Sequence, residues 1–451
     1  MTRAADSEAD DQGGLRRELS LGDTVAVVVG ACVGVGIFFT PARVAAFAGD
    51  ATLAMLAWAL GGLVALAGAL TFAEIGAMYP RTGGQYAILR DAYGPGVAFV
   101  YVVTNATAIQ AGAIAVIALV CAQHIALAAM GAPLTDQAAA IAATVLVLVL
   151  AAANAAGVRW GARIQTVTVL AKIGALVAIA VMAPLGRAEL PPVPLSAVAK
   201  DADVGLLAAL VPALFSFGGW QQATWIGGEV REPERNLPRA LIAGVGIIVA
   251  VYLLTNWAYL HALGYEGAAA SHSIAADAAA AVLGEPARRV IAGAVAVSAF
   301  GVLGAQLLSG PRLVFALAHD GRFFRAFGRV HAGRGTPVAA IALLSACALG
   351  LLWLAGGGGI DRLLTGVVAV DALFFAATGL ASVVLWRARP RDSRPLRMPA
   401  WPWIPLGFTL AELAIIAGAW VDPQVRATVW VGLAWIVGAT ILYAARFRGR
   451  V

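Results

Sequence analysis

About twelve stretches of roughly 20 predominantly apolar residues recur through this chain. They lie near 22–47, 51–78, 95–124, 136–156, 160–184, 204–230, 238–262, 287–317, 336–355, 361–386, 401–420 and 426–446. At about 1.5 Å of rise per residue each is long enough to cross a hydrocarbon layer about 30 Å thick. Lipid offers no partner to a backbone amide, so runs of this kind must be helices. Of the 451 residues 61% are hydrophobic and only 12% charged. A soluble domain of this length could not hide that much apolar surface. The expected fold class is an all-α membrane protein with about 12 transmembrane helices.

The basic residues orient it. With the N-terminus inside, about 23 of the 31 Lys and Arg fall in inside segments and about 7 outside, leaving Lys172 within a run. Such an excess is the positive-inside pattern, and it expects both termini in the cytoplasm of an inner-membrane protein. The net charge of +6 then reflects topology and excludes a nucleic-acid partner. Residues 1–20 are polar, lack an apolar core and do not resemble a signal peptide, so a flexible cytoplasmic tail is expected there. Cys32, Cys121 and Cys347 all fall inside apolar runs, with no metal-ligand spacing, and the five His are scattered. Neither a disulfide framework, a metal nor a cofactor is expected.

Two runs differ from the rest. The first contains Val29-Gly30-Ala31-Cys32-Val33-Gly34-Val35-Gly36-Ile37-Phe38, then Thr40-Pro41. The sixth contains Phe215-Ser216-Phe217-Gly218-Gly219-Trp220-Gln221-Gln222, then Gly227-Gly228-Glu229. Glycine pairs weaken a helix and release backbone groups that lipid cannot satisfy. Taken singly, each could equally be a site of close helix packing. Their placement argues otherwise, because each opens a block of five helices, 21–184 and 204–386, followed by two further helices over 400–446. An odd number of crossings per block makes the second block enter from the opposite face, so the repeat is inverted. Interrupted helices at equivalent places in two such halves point to a binding site at mid-membrane. A half-helix starting near Gly36 presents free amides suited to a carboxylate. Unwound carbonyls near Cys32, Val33, Phe215, Ser216 and Gly218 suit an ammonium. An α-amino acid carries both groups.

These segments resemble the amino acid–polyamine–organocation superfamily. Gly34-Val35-Gly36-Ile37-Phe38 with Pro41 is similar to its helix-1 signature. Ala73-Glu74-Ile75 with Tyr79-Pro80-Arg81-Thr82-Gly83-Gly84-Gln85-Tyr86 is similar to the end of helix 2 and the loop after it. Phe217-Gly218-Gly219-Trp220, leading to Glu229-Val230-Arg231-Glu232-Pro233-Glu234-Arg235-Asn236-Leu237-Pro238-Arg239-Ala240, is the strongest match. Ser309-Gly310-Pro311-Arg312, Ala318-His319-Asp320-Gly321, Thr336-Pro337-Val338 and Arg394-Pro395-Leu396-Arg397 follow in the family's order. Within the superfamily the chain most resembles bacterial relatives of the L-amino-acid transporters.

The resemblance implies a LeuT-type 5+5 inverted repeat with discontinuous helices 1 and 6. It implies a permease, not an enzyme. Gly34, Val35 and Gly36 would hold the substrate carboxylate, and the carbonyls of Cys32, Val33, Phe215, Ser216 and Gly218 its amino group. Phe215 would be an aromatic lid on the outer side, with Trp220, Gln221 and Gln222 bordering the side-chain pocket. Val35 departs from the Ser usual between the two glycines, which removes one hydroxyl from the carboxylate pole. Lys172 stands where sodium-coupled relatives bind their ion. Its ammonium would donate to carbonyls near Gly30 and Val33 and to Ser298, so no sodium partner is expected, while protons remain candidates for coupling.

Asp371 and Glu412 are also deep, and the structural role is favoured for both, more strongly for Glu412 because helices 11 and 12 lie outside the repeat. Glu74 and Glu229, near cytoplasmic ends, are expected to pair with arginines such as Arg81 or Arg235 as parts of an inner gate. No cluster of nucleophile and base suggests a membrane-embedded enzyme. The expectation is a secondary carrier whose partners are an amino acid and the lipid bilayer. Its apolar pocket border favours neutral L-amino acids, carried by exchange or proton coupling. A polyamine or cationic amino acid carrier and a non-transporting sensor remain the alternatives.

Overall fold

The computed structural model describes residues 17, 19–79, 84–156, 172–174, 176–181, 183–185, 205–331, 336–356, 359–388, 396, 400–421 and 423–449. Among these residues the protein is helical, and the sole β-type pairing is an isolated bridge between Leu19 and Val230. The expected tail over 1–20 falls almost wholly outside the described residues.

Helix α1 (Leu21–Cys32) starts at a capping box. Ser20 Oγ accepts from the Asp23 amide at 3.3 Å while Asp23 Oδ2 accepts from the Ser20 amide at 2.9 Å. Such reciprocal bonds satisfy amides that a first turn leaves free. The helix stops at Cys32, and the chain resumes as α2 (Thr40–Ala48) with Pro41 in its first turn. Asp50 caps α3 (Ala51–Met78) through the Leu53 amide at 2.8 Å. A short helix α4 (Gly84–Tyr93) leads to α5 (Pro95–Thr104), a π turn (Asn105–Gln110) and α6 (Ala111–Met130). Helices α7 (Asp136–Ala155) and α8 (Lys172–Val181) complete the first half.

The second half opens with α9 (Leu206–Phe217), again broken, and continues as a 3₁₀ helix (Trp220–Glu229). It proceeds through α10 (Pro233–Ala270), α11 (Ile274–Leu283), α12 (Glu285–His319), α13 (Val338–Ala355) and α14 (Gly359–Ala388). Helices α15 (Trp403–Val421) and α16 (Pro423–Arg446) close the chain.

Among the described residues nine helical stretches are long and apolar enough to span a membrane. The count falls short of the expected twelve for physical reasons. The first and sixth runs are divided into pieces of 12, 9 and 12 residues, α1, α2 and α9, none of which spans by itself. Most of the fifth run lies outside the described residues. Packing joins the halves: α3 lies along α10, α6 along α12, and α7 against α13. The largest buried cluster gathers residues of α1, α2, α3, α9, α10 and α11, among them Val28, Trp58, Phe72, Phe217 and Tyr252.

Candidate substrate cavity

The two helix breaks meet. Ala31, Cys32, Gly34, Val35 and Gly36 form one wall of an internal cavity, and residues Leu214 to Gln222 form the wall beside it. The structure thus brings Cys32, Gly34, Val35, Gly36, Phe215, Ser216, Gly218, Trp220, Gln221 and Gln222 to one cavity, while Val33 is buried outside its wall.

The approach of the breaks is close because glycines permit it. A Cβ on Gly36 would lie 2.6 Å from Ser216 Oγ and 2.9 Å from its Cα. Gly219 adopts φ +110, and a Cβ there would lie 2.6 Å from the Ala31 carbonyl oxygen. A side chain at either position would force the segments apart. Hydrogen bonds then cross the junction: the hydroxyls of Thr40 and Ser216 lie 2.6 Å apart, and the Cys32 thiol donates to the Phe217 carbonyl at 3.4 Å.

Amides behave differently along the first break. Gly34 N–H donates back to the Cys32 carbonyl, which removes it from the expected carboxylate pole. The amides of Val35, Gly36 and Ile37 donate to no group among the described residues. Three unpartnered donors therefore fall at the entry to the short 3₁₀ turn Gly36–Phe38, one residue later than the glycine pattern suggests, with Val35 and Gly36 on the cavity wall. A carboxylate is the natural complement of such a set.

The ammonium pole also needs correction. Tyr252 of α10, fully buried, shares its O–H between the carbonyls of Cys32 (2.9 Å) and Ser216 (3.2 Å). With the Gly34 amide also on it, the Cys32 carbonyl has both lone pairs engaged and is no free acceptor. The Phe215 carbonyl accepts from the Gly218 amide at 3.2 Å, which leaves it one lone pair. Sequence reasoning missed Tyr252, which lies 31 residues beyond Gln221 in a continuous apolar stretch of α10 ahead of its kink at Gly264.

Aromatic rings line the rest. Phe215 meets Phe39 edge-on with centroids 6.1 Å apart. Trp220 stacks on Phe375 of α14 at 5.6 Å and meets Phe72 of α3 edge-on at 4.9 Å. The Gln221 side chain turns back, its Oε1 accepting from the Gly219 amide at 2.9 Å.

The opposite wall was largely absent from the sequence expectation. Asn105 and Gln110 enter from the π turn, and Gln306 from α12. Asn105 Oδ1 and Gln306 Oε1 have no hydrogen-bond partner among the described residues. A π turn inserted in a helix is a frequent mark of a functional position. Asp371 and Glu412 line the cavity too, although α15 stands outside the five-helix blocks. From the sequence the structural role is favoured for Glu412 because helices 11 and 12 lie outside the repeat, and packing places its side chain at the cavity.

Other expected contacts differ. Lys172 is 3% exposed, yet among the described residues it makes no hydrogen bond to Gly30 or Val33, and Ser298 Oγ has no partner. The expected bridge from α8 to the first break and to α12 is therefore not formed in this structure. Glu74 is buried and accepts from Trp386 Nε1 of α14 at 2.9 Å, while Arg81 lies outside the described residues. Arg235 pairs with Glu232 at 3.6 Å rather than with Glu229. Glu229 contributes its backbone carbonyl to the Leu19 amide at 3.0 Å, which ties the chain entering α1 to the end of the 3₁₀ segment.

Comparison with known proteins agrees with this architecture. The family model described as amino acid permease matches residues 19–444. The chain is 31% identical to the serine/threonine exchanger SteT of Bacillus subtilis, over 88% of this chain and 89% of that protein. It is 30% identical to the large neutral amino acids transporter small subunit 2 of Oryctolagus cuniculus, over 93% of this chain and 79% of that one. The b(0,+)-type amino acid transporter 1 of Mus musculus is 28% identical over 89% of this chain and 82% of its own length. With apolar spanning helices throughout and a match over nearly its whole length, this chain belongs to the amino acid permease family, as a multi-pass membrane transporter of the amino acid–polyamine–organocation superfamily and not an enzyme.

Proposed function

We propose that this protein is a secondary carrier that moves L-amino acids across the cytoplasmic membrane by sodium-independent alternating access. One observation carries the reading: two interrupted helices meet along the wall of one cavity, and the amides of Val35 and Gly36 on that wall have no partner among the described residues. Free amides at the entry to a helical turn favour an anion. The carbonyl of Gly218 and the remaining lone pair of the Phe215 carbonyl are the acceptors left on the cavity wall for the α-ammonium once Tyr252 and Gly34 have taken the carbonyl of Cys32. The names of the relatives, a serine/threonine exchanger and a large neutral amino acids transporter subunit, suit an amino acid cargo.

The architecture proposed with it is about twelve membrane helices, arranged as inverted blocks over 21–184 and 204–386 with two further helices over 400–446. Pairing of second with second, third with third and fourth with fourth helix across the blocks supports that symmetry. Both termini face the cytoplasm on the charge pattern. Phe215 closes the outer side, and Glu74 with Glu229 belongs to the inner one. The apolar border formed by Phe215, Trp220 and Phe375 suits neutral side chains, whereas the acidic wall suits cationic ones.

The test is uptake of a panel of labelled L-amino acids by proteoliposomes, with and without amino acid inside, in sodium and in choline buffer, and with a proton gradient applied. Counterflow of at least one amino acid supports the reading. Binding without flux would identify a sensor and refute it.

A further inference from the structure

Asp371 and Glu412 approach the same cavity from two neighbouring helices. On α14, Val367, Val368, Asp371 and Phe375 recur at intervals of three and four residues, so one face of the helix fronts the cavity. On α15, Phe408 and Glu412 repeat at four and do the same. Helix α14 packs along α15, which brings the two faces to the same cavity. Neither takes part in an ion pair or a hydrogen bond among the described residues, and none of the described cavity-lining residues is basic. Two acidic groups on one largely apolar cavity, with no basic residue among its described lining residues, form a site incomplete without a cation.

The aromatic surround points the same way. Phe375 stacks on Trp220 at 5.6 Å and meets Phe408 edge-on at 6.0 Å. Faces of rings attract a positive group, and a carboxylate pair beside them adds charge and acceptors. We propose that Asp371 and Glu412, with Trp220, Phe375 and Phe408, form a subsite for a cationic group on the side chain of the transported amino acid, a primary ammonium or a guanidinium. The assignment rests on the amino acid carrier reading above and adds to it. The free amides of the first break take the α-carboxylate, and the acid pair takes the far end of the molecule. The preferred cargo is then a dibasic L-amino acid, against the neutral class that the apolar border suggested.

The experiment uses the full-length protein in proteoliposomes. L-Lysine is compared with L-6-hydroxynorleucine, whose hydroxyl replaces the terminal ammonium, as competitors of labelled L-lysine uptake and as substrates themselves. The wild type should prefer lysine by at least about tenfold in half-saturating concentration, the discrimination that a charge-assisted pair gives over a neutral hydroxyl. Asp371→Asn and Glu412→Gln, each checked for a monodisperse detergent profile, should bring the ratio of the two substrates toward unity. The wild-type comparison needs no variant. Equal or better handling of 6-hydroxynorleucine by the wild type overturns the subsite while leaving the carrier intact, and means that the acid pair holds a proton instead. Uptake of cadaverine to the exclusion of all amino acids would keep the subsite and refute the carboxylate pole. Absence of any flux, of amino acids and of cadaverine alike, refutes the carrier reading and the subsite with it.

Discussion

A methyl group placed on Gly36 would sit 2.6 Å from Ser216 Oγ and 2.9 Å from Ser216 Cα, where carbon atoms in contact normally keep about 3.5–4.0 Å. The second contact is with backbone, so no rotamer change relieves it, and α9 must move away by about 1 Å. Overpacking of this kind costs about 1–3 kcal/mol. The movement also breaks the 2.6 Å hydroxyl pair of Thr40 and Ser216, a further loss of about 0.5–1.5 kcal/mol. Together these are on the order of 2–4 kcal/mol, which corresponds to a loss of roughly 30- to 700-fold in an equilibrium that requires the two breaks in register. Gly34 supplies the comparison, because the nearest atom to a Cβ there is the Cys32 carbonyl oxygen at an ordinary 3.7 Å. Gly36→Ala should therefore raise the half-saturation concentration for uptake, or abolish uptake, by at least about thirtyfold, and Gly34→Ala by less than about fivefold. Both are measured in proteoliposomes, with elution profile and thermal unfolding in detergent as controls. Equal kinetics for the two variants, or the greater loss at Gly34, would refute the packing argument.

Tyr252→Phe keeps the ring contacts with Trp58 and Phe217 but removes the O–H shared by the Cys32 and Ser216 carbonyls. A stability loss of about 1–2 kcal/mol is expected, visible as a lower unfolding temperature in detergent, and an unchanged temperature would contradict the clamp. Phe215→Ala should raise the half-saturation concentration and lower the maximal rate, since the ring lies on the cavity and against Phe39; wild-type kinetics in a folded variant would displace it from the outer closure. Replacing sodium by choline should leave uptake within about twofold, because the buried cation of Lys172 repels a second one at low dielectric. Sodium-stimulated uptake would overturn that inference.

Features legible in the sequence are those that lipid imposes locally. Length and apolarity mark helices such as α3, α7 and α13 to within a few residues, since an amide in hydrocarbon must bond within its own helix. Gly34-Val35-Gly36 and Gly218-Gly219 announce breaks for the same reason: the backbone groups they free need a protein-lined cavity. Facing is another matter. In a helix apolar on nearly all sides no stripe tells which residues point inward, so Tyr252, Gln306 and Glu412 read like any other members of their runs. Only the packing of α10 on α3, of α12 on α6 and of α14 on α15 turned them toward the breaks. The same holds for Gly34 and Gly36, one residue apart from the same Val35. Tertiary contact with Ser216 made one of them indispensable to the fit of the breaks and left the other open, because steric exclusion acts between segments that are distant in the chain.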